Sequence, residues 1–132
     1  MNSEFEEDLR IDPEQLDVIA ATQAEIFFKW AERYIAAEAE TSRAKARLEA
    51  MEARISLDCR KRPSTYGLEK VTDAAIRQVV VREEKYKSVL EAYQEAQKNS
   101  RWMEEARWAM EQRKRMIEIL VTLHGQKYYA GP

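Results

Sequence analysis

Between residues 14 and 62, and again between residues 68 and 124, the sequence contains neither proline nor glycine. The chain's six such residues are Pro13, Pro63, Gly67, Gly125, Gly131 and Pro132, so its only interior interruption lies in residues 58–67. Proline and glycine are the residues that stop a helix by backbone sterics or entropy. Two long helices joined by one turn are therefore expected. Charged residues make up 35% of the chain, and recurrent Ala, Glu, Lys and Arg are the composition of solvent-washed helices rather than of a sheet. The fold class is all-α.

Periodicity sharpens this. From the helix start at Asp12-Pro13-Glu14-Gln15, where Asp12 caps and Pro13 suits the first helical position, a seam runs through Leu16, Ile19, Gln23, Ile26, Trp30, Tyr34, Ala37, Thr41, Ala44, Leu48, Met51 and Ile55. Steps of three and four are a coiled-coil period. The small residues from Ala36 to Ala46 allow a neighbouring backbone to come close. A second seam, after Thr72 as cap, reads Ile76, Val79, Val80, Tyr86, Leu90, Tyr93 and Ala96. It weakens across Gln97-Lys98-Asn99-Ser100 and resumes at Met103, Ala106, Met110, Ile117, Leu120 and Val121. The spacing predicts an acidic arm (1–12) and one helical hairpin domain (13–132), comprising a helix over 13–57, a basic hinge over 58–72, a helix over 73–124 with a kink or break near Asn99, and a tail over 125–132 carrying Tyr128 and Tyr129. Trp102 and Trp108 lie beside the second seam and are expected to be buried in the helix interface. The two helices form an antiparallel, coiled-coil-like hairpin. Such a chain has little interior of its own, so assembly as a homo-oligomer is expected.

The net charge of −2 is unevenly spread. Residues 1–17 hold seven acids against Arg10, a net of −6 that leaves +4 for the rest. A near-neutral total thus does not argue against a polyanionic partner. The arm itself, with Phe5, Leu9 and Ile11 as its only anchors, is expected to be disordered when free and, being acidic, to restrain a basic site or to engage a protein.

Catalysis finds no support. His124 is the only histidine and Cys59 the only cysteine, so metal-ligand spacing is absent. There is no glycine-rich phosphate loop. Neither catalytic residues, a metal nor a cofactor is expected. Cys59 alone suits a reducing cytosol, no apolar run is long enough to span a membrane, and the acidic start is unlike a signal peptide. A soluble cytoplasmic protein with no membrane partner follows as an expectation.

The basic residues carry more information. Residues 43–62 contain Arg43, Lys45, Arg47, Arg54, Arg60, Lys61 and Arg62 against Glu49, Glu52 and Asp58, a local net of +4. Arg43, Arg47, Arg54 and Lys61, spaced by four, seven and seven, fall on one stripe if the helix continues that far. Such a stripe can follow a phosphate chain, and Tyr66 beside Arg60-Lys61-Arg62 supplies a ring for stacking on a base. The same stripe is also what a solvated coiled-coil face looks like. Arg113-Lys114-Arg115 is too contiguous to lie on one face.

In order along nearly its whole length, the chain resembles the UvsY-type recombination mediators of phages. The resemblance is carried by the acidic leader closing with Ile11-Asp12 and Leu16, the Lys29-Trp30 pair, the block Pro63-x-x-Tyr66-Gly67-Leu68-Glu69-Lys70-Val71-Thr72, the long second helix and the Ala-Gly tail. Lys45-Ala46-Arg47-Leu48 is identical to a stretch tied in that family to binding single-stranded DNA, which implies Lys45 and Arg47 as contacts. Alignment by distance from Lys29-Trp30 instead selects Glu52-Ala53-Arg54-Ile55 and implies Arg54. The family implies a non-enzymatic, ring-shaped homo-oligomer in the host cytoplasm. Its members bind single-stranded DNA and help a RecA-like recombinase displace single-strand-binding protein. The competing reading is a structural or chaperone-like coiled-coil scaffold that does not bind nucleic acid.

Overall fold

The computed structural model describes residues 2–126; the tail rings Tyr128 and Tyr129 lie outside the described residues. Its elements are α1 (Ser3–Leu9), a 3-10 turn at Pro13–Gln15, α2 (Leu16–Lys61), a second 3-10 turn at Pro63–Tyr66, α3 (Asp73–Arg82) and α4 (Glu84–Gly125). No strand occurs among the described residues. The chain divides into two compact units, Met1–Ala36 with Arg101–Pro132, and Ala37–Ser100.

The first unit is built on Trp30, Ala106 and Met110, with Phe5, Leu9, Ile26, Phe27 and Met103 packed around them. Gln23 reaches across to the Met110 carbonyl at 2.8 Å, while Trp30, further along α2, clusters with Ala106 and Met103, earlier in α4, so α2 and α4 run antiparallel here. The acidic arm is not an unstructured tail. Asn2 caps α1 by accepting from the Glu4 amide, and α1 lies on this unit through Phe5 and Leu9. Phe5 meets Trp30 and Trp102 edge-on, at ring-centroid distances of 5.5 and 5.3 Å. Trp102 is 37% exposed and Trp108 is 55% exposed, so the expected burial in the helix interface is observed for neither. Val121, placed on the second seam, is also exposed.

The second unit holds Ile55, Cys59, Ile76, Val79 and Val80, with Met51, Tyr66, Leu68 and Tyr86 against them. Buried Ala37 and Ala44 flank Thr41. The Thr41 hydroxyl lies 3.0 Å from the Ala96 carbonyl of α4, the close approach that the small residues permit.

Two boundaries differ from those expected. Helix α2 continues to Lys61 rather than ending at residue 57. Pro63 disfavours helix only at the residue before it, and Arg62 is indeed the first to leave, with φ −136° and ψ 63°. The second helix is broken at Glu83, not kinked at Asn99; α4 passes through residues 97–100 uninterrupted. Val79-Val80-Val81 is a run of β-branched residues with poor helix propensity, and the extended Glu83 (φ −68°, ψ 130°) ends α3 with Val79 and Val80 both buried. The polar residues at 97–99 are simply an exposed part of a helix. The expected caps hold: Thr72 accepts from the Ala75 amide at 3.1 Å, and α4 stops at Gly125. Gly67, at φ +68°, closes the second 3-10 turn in the left-handed region where a side chain would be strained.

Candidate nucleic-acid interface

The basic residues of the 43–62 stretch, together with Tyr66, belong to the second unit. Because α2 runs through Lys61, Arg43, Arg47, Arg54 and Lys61 share one flank of a single helix, within roughly 40° of one another at 3.6 residues per turn. Lys45 does not join them. It lies roughly 160° from Arg43 in helical phase, on the other flank of the buried seam.

Each cation has a distinct electrostatic situation. Arg43 and Arg47 both pair with Glu40, at 3.0 and 2.7 Å, and Arg47 first, then Arg43, holds the Glu40 carboxyl below its ordinary pKa. Arg60 pairs with Asp73 at 2.7 Å. Arg62 donates through Nε to Asp58 at 2.9 Å. Among the described residues, Lys45, Arg54, Lys61 and Lys85 have no such partner. Three of these four, Arg54, Lys61 and Lys85, converge with Arg62 on an open cleft of about 590 Å3, whose acids are Asp58 and Glu83. Lys85 was not among the expected residues. It lines the cleft just past the break at Glu83, where α4 starts, and nothing in the local sequence marks that break.

Tyr66 is half-buried, its ring packed on the Ile55–Cys59 core and its hydroxyl donating to Asp58. The carboxylate pushes the phenol pKa up to about 12, because ionisation would break the hydrogen bond and place two negative charges together. The neutral phenol is thus the folded form's preference, and its contribution is intact below pH 10 and lost as pH rises through about 12. In an ultraviolet titration of tyrosinate, one tyrosine is expected to ionise near that value. Asp58→Asn should return it towards 10, and a late step that persists in Tyr66→Phe would show that the assignment is wrong. Cys59 is buried in the same core, and burial raises its thiol pKa.

No group of His, Cys, Asp and Glu residues that could hold a metal ion occurs among the described residues. No described helix is long and apolar enough to cross a membrane. Comparison with protein-family models, with curated proteins and with solved structures yields no match to this chain.

Proposed function

We propose that this chain binds single-stranded DNA along the Arg43, Arg47, Arg54 and Lys61 flank of α2 and at the adjoining cleft, acting as a recombination mediator. The observation that carries the reading is the convergence of Arg54, Lys61 and Lys85, none held in a salt bridge, on one open cleft. Arg62 joins them at the rim. Unpaired cations on one surface are what a phosphate chain requires. The pairs of Arg43 and Arg47 with Glu40 are solvent-exposed, and exposed ion pairs contribute little, so a phosphate can replace Glu40 at small cost. Tyr66, with its ring against the core, borders the path and positions Asp58 and Arg62. Lys45, on the far flank, contributes less than Arg54.

Delivery of that DNA to a RecA-like recombinase, in competition with single-strand-binding protein, rests on the family resemblance. Assembly into a ring-shaped homo-oligomer draws support from exposed Phe28 and Ile35, seven residues apart on one face of α2 and 61% and 64% exposed. The same exposed residues favour the competing scaffold reading, which predicts association without DNA binding.

Fluorescence anisotropy with labelled oligothymidine across a salt series separates the two. Each phosphate contact on a single strand contributes about 0.7 to the slope of log affinity against log salt. Arg54→Ala with Lys61→Ala is expected to reduce that slope by roughly 1.4, and Lys45→Ala to leave it nearly unchanged. A parent protein that binds no oligothymidine at low salt, or a slope untouched by the double substitution, refutes the proposed path.

A further inference from the structure

The surface of the first unit beneath α1 combines features that the DNA reading does not use. Trp30 is fully buried there. Arg33 and Lys29 both lie over its ring, at 4.7 and 5.6 Å from the centroid. Both cations are neutralised from α1: Arg33 grips Glu4 with two hydrogen bonds at 2.8 and 3.0 Å, and Lys29 pairs with Glu4 at 3.1 Å and with Asp8 at 2.5 Å. Trp30 Nε1 donates to Asp8 at 2.9 Å. Hydrogen bonds from Arg33 and then Lys29 pull the Glu4 pKa down to about 2. The apolar anchors Phe5 and Leu9 complete the contact.

The occupant thus has a short signature, Glu-Phe-x-x-Asp-Leu, in which the two acids are four residues apart and so are the two apolar anchors. On a helix both pairs share a face. Glu6 and Glu7 point to solvent. Helix α1 has only seven residues, and isolated helices shorter than ~12–15 residues are marginal in water, so docking is what keeps it helical. The ion pairs of Glu4 are more than a third exposed and are weakened by salt. Only residues 10–12 separate it from the 3-10 turn that leads into α2.

We infer that this surface is a docking site for acidic helical segments bearing the same spacing of acid, aromatic and leucine, and that α1 is its tethered occupant, which an incoming segment of a partner protein displaces. Removing α1 would bare an aromatic surface and leave two cations unpaired, a combination that marks an interaction site. Helix-in-groove recognition with anchors one turn apart supplies the mode. A nucleic-acid strand fits less well. The Trp30 face that a base would stack on is taken by Arg33, and the ring that does bind, Phe5, meets both indoles in T-shaped rather than stacked geometry. The inference is independent of the DNA path in the second unit.

The test uses the full chain and two fluorescein-labelled peptides. One has the sequence of residues 2–11; the other keeps only Glu, Phe, Asp and Leu at their spacing, with alanine and glutamine elsewhere. In the parent, α1 competes at a millimolar-scale effective concentration, so both peptides should bind poorly. Phe5→Ala with Asp8→Ala unseats α1 and should tighten binding of both peptides at least tenfold. Adding Lys29→Glu and Arg33→Glu should abolish it. If the unseated chain loses helicity by circular dichroism, Glu4→Gln, which keeps the apolar anchors, provides the same comparison. Equal binding by parent and unseated chains overturns the inference, as does indifference to the charge reversal. Oligothymidine displacing the peptide through Lys29 and Arg33 would overturn it in favour of a nucleic-acid site.

Discussion

Replacing Trp30 with alanine is expected to lower the unfolding free energy by about 3–5 kcal/mol, the range for truncating a fully buried large aromatic residue. Trp30 has no exposed surface, and it joins three sets of contacts. Ala106 and Met110 of α4 pack against it, Phe5 of α1 meets it edge-on, and its indole nitrogen donates to Asp8. Truncation opens a cavity bounded by helix backbones that cannot all collapse into it, and it removes the donor that Asp8 accepts from. Trp30→Phe separates the two effects. It keeps most of the apolar volume while losing the hydrogen bond to a carboxylate, for which about 1.5–3 kcal/mol is expected. Urea unfolding followed by far-ultraviolet circular dichroism measures both. A Trp30→Ala midpoint close to that of the parent would mean that the first unit is not organised around this residue.

The seam that identifies Trp30 as central was legible in the sequence. All twelve of its positions on α2, from Leu16 to Ile55, are buried or half-buried, because a three-four step leaves a long helix only one face on which to pack. The next position of the same seam, Cys59, is fully buried but was placed in the hinge. Basic residues and a following proline suggested an end four residues too early, although only residue 62 is sterically affected. The break at Glu83 was not legible. A run of valines lowers helix propensity without forbidding helix, and the burial of Val79 and Val80 against Ile55 and Cys59 at the end of α2 is a tertiary contact that local spacing does not announce. At the basic path, two of the counter-ions were within reach of sequence reasoning. Glu40 stands three residues before Arg43, and Asp58 four before Arg62, both on-helix pairings. Asp73 for Arg60 and Lys85 beside Lys61 are brought in by the turn at residues 62–72 and by the α3–α4 break, neither of which has a signature in local spacing.

Arg113→Ala is expected to destabilise by about 2–4 kcal/mol, since it leaves one buried and two part-buried acceptors without their donor at once. In the sequence this residue was one of three contiguous cations with no face in common; in the first unit it is buried, 4% exposed. It has no carboxylate partner in contact. Its guanidinium donates to the Leu9 carbonyl at 3.3 Å, to the Arg10 carbonyl at 3.0 Å and to Gln23 Oε1, while Gln23 donates onward to the Met110 carbonyl. The charge sits against the carbonyl end of α1, where peptide dipoles favour a cation, and burial lowers its pKa without a contacting anion to restore it. Arg113→Lys should recover only part of the loss, because one ammonium cannot reproduce a planar fork directed at three oxygens. Arg113→Met keeps volume but satisfies none of them and should fall close to the alanine variant. A double-mutant cycle with Gln23→Leu tests whether these groups act as one network. If they do, the pair costs less than the sum of its parts by about 0.5–3 kcal/mol, since Gln23→Leu removes an acceptor that Arg113→Met would otherwise orphan. Strict additivity would mean that Arg113 holds the α1 carbonyls and Gln23 holds α4 independently, so that Arg113 acts on α1 only through the backbone of residues 9 and 10.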